Sequence, residues 1–467
     1  MELHKLSLRD LAHQLDNKSI SAAETVAYFL GRIKRYNSEI GAVVALDESL
    51  SIDLAKNVDQ KRARGEHLPP LAGIPFLVKD LEDCAGFVTT NGSALFREAP
   101  PAKADSLMVE RFRNAGAIPV GKTNTPEFGW KGTTENLIFA PTRNPYDTQR
   151  TSGGSSGGTA AAVAAGMIPF GTSSDGGGSI RIPAACCGIA GLKTSTGRVP
   201  IRGDDGPGWW EFTTNGPMAR SFSDTAWLYD FCTGPHDDDM RSLPKEPSDW
   251  GVEILGRRKD VRVGITYDMG YWSTDTQIRH AVADAAAAMS DAGYQVTELP
   301  PLFSTPPALL WVKIVAAYHA RALGHLLGTP EIDRIDPTLA GLVKRGASVT
   351  AREFLLALDE MWVLSAEFFR RTQGVDLVVS PTTAGLAPKI GEPGEIDGAP
   401  TVDWVSYTVL ANMARTPAAS VCIGLSTEGL PIGAQVIGKR FGEVEVLRLG
   451  HFLESHYGLQ APPAFSE

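Results

Sequence analysis

The segment 151-TSGGSSGGTAAAVAAGMIPFGTSSDGGGSIRIPAACCGIAGLK-193 concentrates hydroxyl side chains among glycines, which could supply a nucleophile beside backbone N–H groups that no side chain obstructs. The bland alternative is a flexible linker. Its Gly/Ser stretches are short and sit between apolar runs, which argues for built loops instead. The pattern G-x-S-x-G occurs twice in overlapping register, around Ser155 and around Ser156, as in the nucleophile elbow of a Ser-His esterase of the α/β-hydrolase type. That scheme needs a downstream histidine, and none occurs between His67 and His236, leaving His319, His325, His451 and His456 as candidates. A second match, 116-GAIPVGKT-123, fits the phosphate-binding loop letter for letter. A phosphate cradle follows a strand and opens a helix, whereas Ile118, Pro119 and Val120 read as the strand itself, and Pro119 lacks an N–H that such a nest would use. Nucleotide binding is therefore a decoy. The run 451-HFLESH-456 has one residue too many for the inverted zinc motif; no catalytic metal and no cofactor is expected.

A different chemistry uses lysine as the base. Amide cleavage needs a nucleophile, a base that later protonates the leaving amine, and donors for the oxyanion. A Ser-Lys arrangement meets this if the ammonium deprotonates near neutral pH, and burial lowers a lysine pKa by up to roughly 3–5 units. Lys79 ends the apolar run 73-GIPFLVK-79; if the strand continues, Asp80 points to the opposite face. Ser179 follows Gly176, Gly177 and Gly178, an oxyanion-hole composition, although a run of that kind is more often only a turn.

Elements that could position these groups are legible around them. Leu8, Leu11, Ala12 and Leu15 share a helical face, and Ser21 with Glu24 forms a capping box before Val26, Phe29, Leu30 and Ile33. From about 71 to 200, β-like runs (GIPFLV, AIPVG, MIPFG) alternate with turns and with a helical stretch from Asp105 to Ala115. Residues 235 to 260 read as a surface connection and 306 to 372 as helical. VRVGITYD, VDLVVSPTT, AASVCIGL and GAQVIGK read as further strands. The expectation is one α/β domain.

Composition sets the outer limits. With 467 residues, 43% apolar and 21% charged, the chain can bury a large core. Its 44 basic against 54 acidic residues, net charge -10, lack the basic footprint of direct nucleic-acid binding. The longest nearly apolar stretch, Ala160 to Gly171, is too short to span a membrane and contains Pro169. Early charges at Glu2, Lys5, Arg9 and Asp10 and five cysteines without a C-x-x-C pair suggest a cytoplasmic location with reduced thiols. The expected partners are a small-molecule amide and, at most, a second copy of the chain.

The motifs together resemble the amidase signature family. The central match, 152-SGGSSGGTAAAVAAG-166 with 174-SDGGGSIRIPAACCGIAGLKTS-195, extends through 73-GIPFLVKD-80, 114-NAGAIPVGKTN-124, 144-NPYD-147, 380-SPTT-383 and 429-GLPIGAQVIG-438. Ser155 and Ser179 are 24 residues apart, and Lys79 precedes Ser155 by 76, spacings ordinary for that family. The resemblance implies a large twisted mixed β-sheet covered by helices on both faces. It divides 1–467 into an N-terminal helical layer (1–60), a catalytic core (61–200), a variable substrate-shaping region (201–390) and a C-terminal return to the sheet (391–467).

By matched position, the resemblance implies that Ser179 is the nucleophile, Ser155 the bridging serine after a cis peptide bond, and Lys79 the base. It implies that Gly176, Gly177, Gly178 and Ser179 would form the oxyanion hole. Ser156, Asp175 and Arg181 stand behind them, Arg181 either touching substrate or tying down the loop. The family commonly carries Thr where this chain has Gly176, which predicts a roomier acyl site. Trp209 and Trp210 are candidate pocket residues, although aromatics of this kind are more often core, and as pocket residues they favour a hydrophobic or aryl acyl group over a small polar one. The main alternative is the glutaminase subunit of a tRNA-dependent amidotransferase.

Overall fold

The structure, a computed structural model, describes residues 1–467 except 203–207, 210–211, 247–248, 257, 259, 463–464 and 466–467. Its apolar runs become strands β1 (Val43–Leu46), β2 (Pro75–Lys79), β3 (Ile118–Thr123), β4 (Phe170–Asp175), β5 (Ala190–Lys193), β6 (Thr214–Ala219), β7 (Arg262–Ile265), β8 (Gln295–Glu298), β9 (Leu377–Pro381), β10 (Ala418–Leu425) and β11 (Pro431–Gly438). Among the described residues these form an eleven-stranded sheet in the order β1-β3-β2-β4-β6-β5-β10-β11-β9-β7-β8. It is mixed: β2 runs parallel to β3 and β4, whereas β4 and β6 are antiparallel, as are β10 and β11. Every residue of β2 is buried, as expected of a central strand covered on both faces.

That double cover is visible on β11. A side chain at Gly433 would point at Ala185 on one face, and one at Gly438 at Val446 on the other. The two glycines are five positions apart, an odd offset, so they project from opposite faces.

Helices α1 (Leu8–Asp16), α2 (Ala22–Ile40) and α3 (Glu48–Ala63) make the N-terminal layer. The capping box is present: Glu24 N–H donates to Ser21 Oγ at 3.1 Å, and Ser21 N–H donates to Glu24 Oε2 at 2.9 Å. Helix α4 (Leu107–Asn114) falls inside the stretch expected to be helical. Helices α5 (Gly157–Ala164) and α6 (Arg181–Cys187) each open directly after a serine-bearing loop. Beyond α7 (Phe222–Cys232), the described residues of the connection after 235 include the short α8 (Trp250–Glu253), and α9 (Thr276–Asp291) follows β7.

The helical region consists of α10 (Ala308–Leu323), α11 (Pro337–Ala347) and α12 (Ala351–Arg371). Helices α10 and α11 meet so closely that a Cβ at Gly346 would lie 1.8 Å from the Ala316 carbonyl oxygen. With α13 (Val409–Met413), α10 and α12 enclose an apolar cluster containing Trp209, Phe212, Leu310, Ile314, Met361 and Met413. That cluster leans on the glycine loop after β4. Helix α14 (Glu443–Tyr457) packs on β10 and β11.

Candidate active site

Strand β2 carries Lys79 to its buried C-terminal end. Its N–H donates to Thr172 Oγ1 at 2.9 Å, tying it to β4, and the side chain has no solvent exposure. Lys79 Nζ lies 2.7 Å from Ser155 Oγ, 2.8 Å from Ser156 Oγ and 3.0 Å from Ser174 Oγ. Burial drives its pKa down to about 7 against the opposing charges of Glu82 and Asp175. Asp80 turns away, as strand alternation predicts, and pairs with Lys122 at 3.4 Å.

The peptide bond between Gly154 and Ser155 is cis. The Ser155 loop is joined to the Ser179 loop where Ser156 N–H donates to the Ser179 carbonyl at 3.2 Å. Ser156 Oγ in turn donates to the Ser174 carbonyl at 3.3 Å, so this hydroxyl faces Lys79 as an acceptor.

Asp175 organises the second loop. Its carboxylate accepts from Gly178 N–H at 2.7 Å and Ile180 N–H at 3.2 Å, from Arg181 Nε at 3.0 Å and Nη2 at 2.9 Å, and from Asn412 Nδ2 at 2.8 Å. Burial alone would raise the Asp175 pKa, but the Arg181 charge and these donors outweigh it and hold the group at about 2. Arg181 also donates to the Thr408 carbonyl, Gln435 Oε1 and Asn412 Oδ1, and is fully buried. All three guanidinium nitrogens of Arg181 are thus engaged by protein acceptors.

One expected donor is already in use. Gly178 N–H is held by Asp175, which removes it from the proposed oxyanion set. The N–H groups of Gly176, Gly177 and Ser179 have no acceptor among the described residues.

The glycines also answer to their neighbours. A Cβ would come within 2.5 Å of Trp209 at Gly176, 2.4 Å of Trp311 at Gly177 and 2.2 Å of Thr408 Oγ1 at Gly178, where φ is +131°. The roomier site expected from Gly176 is thus corrected: Trp209 occupies the space a side chain would have taken.

Ser155, Ser174, Gly176 and Ser179 line a cavity of about 980 Å³ including its mouth, together with Phe128, Trp209 and His319. Trp209 and Trp311 meet edge to face at 5.5 Å, and Trp311 Nε1 donates to the Gly176 carbonyl at 2.9 Å. Trp210 lies outside the described residues. Sequence reasoning did not single out Ser174. No sequence signal placed it beside Lys79: Ser174 shares a face of β4 with Thr172, two residues earlier, and that face meets Lys79 only because β4 lies beside β2.

The competing motifs settle elsewhere. Lys122 of the phosphate-loop match lies within β3 and is fully buried, its Nζ donating to the Glu82 carbonyl at 2.6 Å and Thr89 Oγ1 at 3.0 Å. Of the histidines weighed as a base, His319 lines the cavity; His325, His451 and His456 do not. No helix among the described residues is long and apolar enough to cross a membrane.

A mixed sheet that buries a lysine among serines, beside a glycine loop and a cavity lined by both polar and apolar side chains, is the framework of an amidohydrolase. The chain belongs to the amidase family, the amidase signature enzymes, and is a hydrolase of carbon–nitrogen bonds other than peptide bonds: the family model described as Amidase matches residues 24–447. It is 31% identical to an acylamidase of Rhodococcus erythropolis over 96% of this chain and 94% of that one. It is 33% identical to a glutamyl-tRNA(Gln) amidotransferase subunit of Carboxydothermus hydrogenoformans over 98% of both. A solved bacterial aryl acylamidase superposes with a TM-score of 0.89 at 27% identity, covering 97% of each chain.

Proposed function

We propose that the chain hydrolyses carboxamides with a hydrophobic or aryl acyl group through an acyl-enzyme on Ser179. The observation that carries this reading is the placement of buried Lys79, 2.7 Å from Ser155 Oγ, at a cavity lined by Ser155, Ser179 and Trp209. The acylamidase and aryl acylamidase likenesses support the substrate class.

A neutral lysine has two N–H donors and one lone pair, matching three nearby hydroxyls. Ser156 and Ser174 take the donors, leaving the lone pair for the Ser155 proton. Ser155 accepts the Ser179 proton as Ser179 Oγ bonds to the carbonyl carbon, whose π pair moves onto oxygen. The N–H groups of Gly176, Gly177 and Ser179 hold that oxyanion. Collapse breaks the C–N bond, and Lys79 returns the proton through Ser155 to the leaving amine. Water then attacks the acyl-enzyme through the same relay, releasing the carboxylic acid and Ser179.

The test is Ser179→Ala, which abolishes turnover and blocks fluorophosphonate labelling by intact mass. Retained labelling moves the nucleophile to Ser155 or Ser156. Profiling against amides, esters, hydrazides, lactams and glutamine sets the substrate class, with glutamine expected to be poor.

The likeness to an amidotransferase component favours a second reading, in which the chain releases ammonia from glutamine inside a complex. Glutamine hydrolysis that appears only with partner proteins and tRNA would replace the stand-alone reading.

A further inference from the structure

His319, on α10, is 3% exposed and lines the same cavity as Ser179. Its Nε2 is closed off from solvent and has no hydrogen-bond partner among the described residues. Buried ring nitrogens ordinarily find partners. Trp311, eight residues earlier on the same helix, does so through the Gly176 carbonyl. The His319 ring stands edge to face on Trp209 at 5.2 Å, and Trp209 covers Gly176. One indole therefore separates His319 from the loop whose N–H groups the proposed function assigns to the oxyanion. Ala322 and Leu323, from the next turn of α10, line the cavity beside it and offer no polar side chain.

We infer that His319 is a specificity-determining residue: it hydrogen-bonds an uncharged hydroxyl carried by the hydrophobic acyl group about one aromatic ring away from the scissile carbonyl. This deepens the proposed function and rests on its placing the acyl group along Trp209. A neutral imidazole offers one donor and one acceptor, and a hydroxyl complements either. Burial supports the uncharged partner, since it pushes the His319 pKa down to about 4 and keeps the ring neutral at working pH. A site built to bond a hydroxyl discriminates against an analogue lacking it, because its own polar atom is then left unpaired.

The experiment compares kcat/KM for 4-hydroxyphenylacetamide and 4-methylphenylacetamide in the wild type, His319→Phe and His319→Gln. The wild type is expected to prefer the hydroxyl compound. His319→Phe, which keeps an aromatic ring against Trp209, lowers that preference about tenfold, the scale of one hydrogen bond. His319→Gln, retaining a donor and an acceptor, restores part of it. Unchanged fluorophosphonate labelling rates show that the Ser179 centre is intact in each variant.

Should the wild type hydrolyse neither amide, the proposed function fails, and calorimetric binding of the two compounds to the same three proteins decides the His319 inference separately. Selectivity for the hydroxyl compound that is lost in His319→Phe supports it. A wild type that shows no hydroxyl preference in rate or binding, or a preference that survives His319→Phe, overturns it.

Discussion

At the scale of single residues, the proposed chemistry turns on the protonation of Lys79. Its pKa is depressed to about 7, so the neutral amine that can accept the Ser155 proton accumulates as pH rises through that value. The kcat/KM profile should climb about tenfold per pH unit below 7 and level above it. Lys79→Ala should cost about 10²–10⁴-fold in rate with the circular dichroism spectrum retained. Ser174→Ala tests the three-hydroxyl arrangement. An ammonium uses all three oxygens and gains more from each than the amine does, so removing one should move the acid limb to lower pH. An acid limb that stays in place in Ser174→Ala but vanishes in His319→Gln would make histidine the base. Asp175, held at about 2, contributes stability above its unfolded value near 3.8. That stability is lost as pH falls towards 2.

Elements determine how the glycine loop and the apolar wall fit together. Because a Cβ at Gly176 meets Trp209 at 2.5 Å, Gly176→Ala should destabilise the protein by about 1–3 kcal/mol. The same change made in a Trp209→Ala background should cost much less, a coupling readable in a urea double-mutant cycle. Trp209→Ala alone should reduce kcat/KM more for an aryl amide than for a small aliphatic amide, since lost apolar contact acts on substrates that use it. Equal losses for both would make Trp209 a core residue only. The sequence places Trp209 near the Ser179 loop but gives no sign that Trp311 and His319, on a helix more than 130 residues past that loop, pack their rings against that indole.

Across the whole molecule, Arg181 joins segments far apart in sequence, reaching Asp175 within its own loop and Thr408, Asn412 and Gln435 at separations of 227, 231 and 254 residues. Arg181→Ala leaves the Asp175 charge buried without its cation and should cost about 3–5 kcal/mol, measured from urea midpoints. Arg181→Lys should recover little of this, because an ammonium cannot reproduce the guanidinium fork. By itself the sequence determined what is local: strand runs from apolar patterning, the capping box of α2, Lys79 buried at the end of an apolar strand, and Ser179 behind three glycines. Tertiary structure alone decided that Ser174 joins Lys79, that Gly178 N–H serves Asp175, that Arg181 reaches Thr408, Asn412 and Gln435, and that Trp209 fills the space beside Gly176. The physical reason is that periodicity and turn chemistry act over a few residues, whereas these contacts depend on β4 lying beside β2 and on α10 and α13 closing over the loop.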